Sequence, residues 1–280
     1  MPDGRLIVCA TPIGNLGDVT LRVLDALRDA DVVEAEDTRV TRRLFARHGI
    51  TTPLEPYHAK NLERRTPQVV ARIESGQTVA LVSDAGTPGI SDPGARLVDA
   101  CLCDGLIVDV LPGPSAIVTA LVASGLPTHA FYFGGFLPRK AGDRRRVLEG
   151  LSRLEATLVF YESPRRVAAT LASLAEAMPG RDAVMARELT KLHEEVARGR
   201  VEDLARDLAS RELKGEAVLL VGPPPRHAAA APDLADLKSR VDALVSRGST
   251  RKDAVMQVAR ETGLPRNAVY TAAVGHAREA

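Results

Sequence analysis

Between Ser83 and Gly94 the chain reads Ser-Asp-Ala-Gly-Thr-Pro-Gly-Ile-Ser-Asp-Pro-Gly, three glycines, two prolines and two aspartates in twelve residues. Glycine and proline are ordinary turn punctuation, but a connection this long inside a compact domain is usually functional. Two shorter segments share its character. Pro12-Ile-Gly-Asn-Leu-Gly-Asp18 follows the first strand-like run, and Leu111-Pro-Gly-Pro-Ser115 ends a later one with Ser115 placed as a helix N-cap. Such loops supply close backbone approach and donor groups to a small molecule. The first lacks the GxGxxG spacing of a dinucleotide fingerprint, which disfavours NAD. A different chemistry is suggested at 138–153, where Arg139, Lys140, Arg144, Arg145, Arg146 and Arg153 face only Asp143 and Glu149. This block suits a phosphate backbone, or it is a solvated helix face.

The elements that must hold these loops alternate in type. Strand-like runs at 5–11, 32–36, 78–83 and 107–111 are interleaved with amphipathic helices at 20–30, 38–49, 62–76 and 115–124, which predicts an α/β layer on a mostly parallel sheet. In such sheets ligands sit beyond the carboxyl ends of the strands, where all three loops fall. Further strands at 130–137, 157–163, 182–189 and 216–222, with helices at 144–154, 165–178 and 201–211, predict a second α/β domain. The expected division is 1–126, 127–222, a proline-rich linker at 223–232, and a helical domain at 233–280.

Composition bounds the function. The chain has 280 residues, 45% hydrophobic and 26% charged, and a net charge of +1. Any polyanion partner must therefore be met by a local cluster. The longest apolar stretch, 116–126, is interrupted and shorter than the ~20 residues of a membrane span. The N-terminus has neither the basic nor the apolar region of a signal peptide, so a cytoplasmic protein with no membrane contact is expected. Cys9, Cys101 and Cys103 are odd in number and without metal-ligand spacing; they read as reduced and structural.

Taken together, AEDTRVTRRL at 35–44, YHAKN at 57–61, ALVSDAGTPGISDPG at 80–94, LPGPSA at 111–116, FYESPRR at 160–166 and RELTKLHEE at 187–195 resemble the ribosomal RNA small-subunit methyltransferase I family. That family belongs to the tetrapyrrole methylase fold and methylates a cytidine ribose 2′-hydroxyl. The resemblance spans residues 5–222. It implies two α/β domains with S-adenosylmethionine between them, a homodimer, and small-subunit rRNA or the assembled subunit as partner. Carried over by motif, Pro12, Ser83, Asp84, Ala85, Gly86 and Thr87 would line the cofactor site from the first loops, with Leu111, Ser115 and Ala116 near its base. Tyr161, Leu189 and Ala217 would close it from the second domain. PIGNLGD stands where tetrapyrrole-modifying relatives carry GxGPGD, which disfavours a tetrapyrrole.

Methyl transfer from a sulfonium is an in-line displacement that needs alignment, and neither a metal nor a covalent intermediate. The hydroxyl must lose a proton, so a carboxylate, Lys or His near it would help. Candidates are Glu36 and Asp37 with Arg39 beside them, Lys191, and also Glu162 and His193. Each has an ordinary alternative: Asp37 stands where a helix N-cap is expected, and Lys191 or His193 in a solvated turn. The 233–280 helices contain Ala259-Arg-Glu-Thr-Gly263, similar to a helix-turn-helix turn. An RNA-docking appendage fits the rest better. The competing readings are a tetrapyrrole or protein methyltransferase of the same fold, and a ligand-sensing DNA-binding regulator.

Overall fold

The computed structural model describes residues 4–225, 234–262 and 266–274. The first sheet contains β1 (Arg5–Cys9), β2 (Val32–Ala35), β3 (Leu54–Pro56), β4 (Thr78–Val82) and β5 (Ile107–Leu111) in the order β3-β2-β4-β1-β5. Every pairing in it is parallel. Its strands are short apolar runs because both faces are covered. Leu6 and Val8 of β1 point to one face, against Val69 and Ile73 of α3 (Leu62–Glu74) and Leu97 of α4 (Gly94–Cys103). Cys9 points to the other, with Val23 and Leu27 of α1 (Leu21–Asp29) and Leu44 and Phe45 of α2 (Thr38–His48).

Helix starts are fixed by side chains, Thr20 accepting from the Val23 N–H and Asp37 from the Arg39 N–H. At the β3 edge the buried Glu34 carboxylate receives Arg65 Nε at 3.0 Å, and Arg65 also bonds Glu55. That cluster locks α3 to the sheet. β3 was not among the predicted elements; Leu54–Pro56 is too short to show periodicity.

The second sheet runs β6-β7-β10-β8-β9, from β6 (Phe131–Phe136), β7 (Thr157–Glu162), β8 (Asp182–Arg187), β9 (Glu195–Arg200) and β10 (Ala217–Val221). It is mixed: β6 pairs parallel to β7, and the other three pairings are antiparallel. The edge strand β9, EVARGR, was missed because its charges mask any alternation. Leucines of α6 (Ala141–Leu151), α7 (Val167–Ala177) and α8 (Val201–Asp207) fill one face with Phe160, Met185 and Leu219.

The other face is covered by α5 (Ala116–Ser124), which follows the first sheet's last strand. Its Ala120 and Leu121 pack on Val159, Val184, Val218 and Leu220. The boundary expected at 126/127 therefore falls inside one compact unit, Met1–Pro224, and a second begins at Pro225. The second holds α9 (Leu234–Ser246), α10 (Arg251–Thr262) and α11 (Arg266–Val274), closed around Leu237, Val241, Val255, Val258 and Val269. The expected linker at 223–232 lies mostly outside the described residues, as does Gly263 of the helix-turn-helix segment. No helix among the described residues is long and apolar enough to cross a membrane.

Candidate active site

β1, β4 and β2 are neighbours, so the loops leaving their carboxyl ends must meet. Thr11 and Gly86 exchange two backbone hydrogen bonds, 2.8 and 3.0 Å, and Thr11 Oγ1 donates to the Ser83 carbonyl at 3.1 Å. Gly86 has φ +79°, a conformation that side chains with a Cβ rarely adopt. The Asp37 N–H donates to Asp84 at 2.9 Å, tying the loop after β2 to the loop after β4. Asp92 caps its own loop, accepting from Gly89 and Gly94 N–H at 2.8 and 2.7 Å.

The result is a cleft of about 410 Å³ between the ends of the first sheet and the inner face of the second, within the range of small-molecule sites. Ser83, Asp84, Ala85, Gly86, Thr87, Ser115 and Ala116 line one wall, and Tyr161, Leu189 and Ala217 the other. Pro12 and Leu111 are not in the lining. Ile13 takes the place expected for Pro12, and Leu111 is buried in the core beneath the sheet. Ile90, Asp92, Phe136, Glu188, Gly215 and Glu216 also line the cleft and were not singled out. Tyr161 is steadied by Phe133, edge-on at 4.9 Å, and by Phe136 at 5.6 Å.

Six lining residues are acidic, Glu36, Asp84, Asp92, Glu162, Glu188 and Glu216, and none is Lys or Arg. Burial, and then the charge of Asp84, raises the Glu36 pKa above the ordinary carboxylate value. Burial likewise raises that of Asp84. Asp37 goes the other way: Arg39 donates to it through Nη2 at 2.6 Å, and its pKa is pulled down to about 2. Asp37 is therefore the N-cap of α2 and a clamp for Arg39, and far too weak a base to take a proton from a hydroxyl. Glu162 is held by Thr170 Oγ1 at 2.7 Å and by Arg166 at 3.2 Å.

Lys191 stands outside the lining. Its Nζ bonds Glu188 at 2.9 Å and Glu216 at 3.1 Å. Burial opposes its charge, but these two hydrogen bonds prevail and raise its pKa. A protonated, doubly paired ammonium accepts nothing, so the expected basic role of Lys191 is corrected to positioning Glu188 and Glu216. His193 is exposed and outside the lining. Cys9 and Cys101 are buried, and burial raises their thiols to about 12 and about 11.

The basic block at 138–153 is also revised. Arg144 is only 7% exposed, its Nε donating to Ser173 Oγ at 2.9 Å and its Nη1 to the Pro138 and Arg139 carbonyls. It braces α6 on α7, its guanidinium taken up by partners within the fold. Arg145 is paired with Glu149 at 2.8 Å and Arg146 with Asp143 at 3.5 Å, while Arg139 and Lys140 are exposed.

The chain matches the Tetrapyrrole (Corrin/Porphyrin) Methylases family over residues 5–205. It is 46% identical over 267 residues to ribosomal RNA small subunit methyltransferase I of Mesorhizobium japonicum, covering 95% of this chain and 90% of that one. The relative of the same description in Thermotoga maritima is 42% identical over 218 residues, 78% of this chain and 98% of its own. Among solved structures, uroporphyrin-III-C-methyltransferase from Thermus thermophilus superposes with a TM-score of 0.58 at 25% identity, covering 78% of this chain and 94% of that one. With an α/β core of that architecture and full-length relatives at this identity, the chain belongs to the ribosomal RNA small subunit methyltransferase I family, within the tetrapyrrole methylases.

Proposed function

We propose that the chain transfers the methyl group of S-adenosylmethionine to the 2′-hydroxyl of a cytidine ribose in small-subunit ribosomal RNA. The observation that carries this reading is the cleft lining: six carboxylates and no lysine or arginine. Glu162, Glu188 and Glu216 are paired with Arg166 and Lys191 just outside the lining, but Glu36, Asp84 and Asp92 have no ion-pair partner among the described residues, so a ligand with an ammonium and a sulfonium is favoured there over a phosphate-bearing one. The apolar and aromatic lining residues Ile13, Ile90, Tyr161 and Leu189 suit an adenine ring. Ser83 to Thr87, Ser115 and Ala116 would hold the cofactor from one side, and Tyr161, Leu189 and Ala217 from the other.

When bound, S-adenosylmethionine supplies an electrophilic methyl on a sulfonium leaving group. What the chain's own residues contribute is alignment and proton removal. Glu36 and Asp84 are both cleft carboxylates with raised pKa values and no ion-pair partner among the described residues; Asp84 is engaged by the Asp37 N–H at 2.9 Å, and we assign Glu36 as acceptor of the 2′-hydroxyl proton. Asp37 and Arg39 hold the loop that carries it. The relatives' description as ribosomal RNA small subunit methyltransferases supports the substrate. The same acidic lining opposes a tetrapyrrole, whose carboxylate side chains would meet like charge. The test is transfer of a labelled methyl to small-subunit RNA.

Two assembly features accompany this reading, which places the reaction in the cytoplasm. β5 is an edge strand, and β5 and α5 together expose Ile107, Val110, Val118 and Val122. These support a homodimer; light scattering should give twice the 29.9 kDa chain mass, and a monomer at micromolar concentration would contradict it. In the second unit, Arg251, Lys252 and Arg266 border a groove with Asn267 and Tyr270, which supports RNA docking. The Thermotoga maritima relative is almost wholly matched by a length that the first unit alone accommodates. A chain ended at Pro225 should therefore keep cofactor affinity and lose methylation mainly through a higher KM for RNA. An unchanged KM would remove the second unit from RNA docking.

A further inference from the structure

We propose that the outward face of α2 is the track on which the RNA phosphate backbone lies as it reaches the cleft; this rests on the RNA-methylating reading above. α2 contains Arg39, Arg42, Arg43 and Arg47 and no acidic residue. At about 100° per residue, Arg39, Arg43 and Arg47 form one i, i+4, i+8 ridge with Arg42 beside it. The buried Thr41, Leu44 and Phe45 occupy the opposite side. All four arginines are exposed, and only Arg39 has an ion-pair partner among the described residues, Asp37.

Single exposed arginines without an ion pair occur on other helices, Arg22 on α1 and Arg64 on α3, but no other described helix has three. Arg28 of α1 is paired with Asp25, and Arg145 and Arg146 of α6 with Glu149 and Asp143. Like charges at i, i+4 destabilise a helix, and ordinary surfaces intersperse the two signs. Arg47 in the last turn is favoured by the helix dipole and Arg39 by its pairing with Asp37, but Arg42 and Arg43 have no such reason. A polyanion partner removes the conflict.

Position and charge select the partner. α2 begins directly after Glu36 and Asp37, and the Asp37 N–H is bonded to Asp84 of the lining loop. The ridge therefore starts at the cleft mouth. β3 lies parallel to β2, so the following loop, with exposed Lys60, leaves at the same end of the sheet. The cleft, with Glu36, Asp84 and Asp92 free of ion pairs among the described residues and no lysine or arginine in its lining, offers phosphate no partner; a strand presenting one ribose to it must have its phosphates neutralised outside. Planar guanidinium groups do this by paired hydrogen bonds. From Arg39 to Arg47 the ridge rises about 12 Å, long enough for more than one phosphate.

The test uses the full chain, a small-subunit rRNA fragment as ligand, and binding measured across a salt series. Arg43→Ala/Arg47→Ala removes two exposed charges that touch neither the cleft lining nor the core. The slope of log affinity against log salt should become shallower by about 1.4, from ~0.7 per phosphate contact on a single strand. Cofactor affinity should stay at the parent value. Arg43→Lys/Arg47→Lys should restore most of the slope, and Arg145→Ala/Arg146→Ala should leave it at the parent value. A parental slope in the α2 alanine variant overturns the proposal. A parent chain that binds cofactor but never methylates small-subunit RNA instead fails the functional reading, whatever the slopes.

Discussion

Glu36→Gln is expected to lower kcat for RNA methylation by roughly 10²- to 10⁴-fold, the usual contribution of a positioned general base, with little change in cofactor affinity. The amide keeps the shape and the hydrogen-bonding reach of the side chain but cannot hold the proton. In the parent enzyme activity should fall as pH drops through the raised Glu36 pKa, because the protonated acid no longer accepts. That limb should be missing from the variant. The stability effect has the opposite sign. The folded state holds this proton more tightly than the unfolded chain, so Glu36's contribution to stability is present at low pH. It is lost as pH rises from the ordinary value of 4.5 through the raised one. Near neutrality the half-buried carboxylate costs stability, and Glu36→Gln should be at least as stable as the parent. A variant with parental kcat and an unaltered pH profile would remove Glu36 from the reaction and leave the in-line geometry to act without it.

Gly86→Val should raise the dissociation constant for S-adenosylmethionine at least about tenfold. Valine at φ +79° carries a backbone strain of about 1–3 kcal/mol, and the chain relieves it by moving the loop. The loop is not free to move harmlessly. Gly86 holds Thr11 by two backbone hydrogen bonds, and Ser83, Asp84, Ala85 and Thr87 beside it all line the cleft. A displacement that loses about 1.4 kcal/mol of cofactor contact is the tenfold change. Calorimetry on the folded variant reads it directly. Parental affinity in a folded Gly86→Val would place the cofactor elsewhere than against this loop.

Much of this site was legible in the sequence because glycine, proline and aspartate at strand ends are local signals. The twelve-residue loop and Ser115 come to the cleft, and Tyr161, which only the resemblance implied, joins them there. Which side chains of a flagged loop face inward is not local, and Ile13 stands where Pro12 was expected for that reason. Leu111 belongs to a strand whose alternation turns it to the core. The basic block at 138–153 shows a different failure. Six positive residues within 138–153 suggest a ligand until helical spacing is applied, which gives Arg145 and Arg146 acidic neighbours four and three residues away. The same spacing applied to 38–48 would have exposed the unpaired ridge of α2. Gly215 and Glu216 went unnoticed because nothing in their sequence marks them; they reach the cleft only through the antiparallel pairing of β10 with β7 and β8.

The proposed reaction alters one atom, the ribose 2′-oxygen of a cytidine in small-subunit RNA. The most direct measurement incubates the purified full chain with isotopically labelled S-adenosylmethionine and small-subunit RNA, alone and assembled. The RNA is then digested to nucleosides, and the labelled species identified by mass spectrometry. The expected product is labelled 2′-O-methylcytidine, reduced by Gly86→Val at limiting cofactor and strongly reduced by Glu36→Gln. Label on a base atom, on protein, or on a tetrapyrrole offered in competition, with the cytidine ribose unmodified, would contradict it.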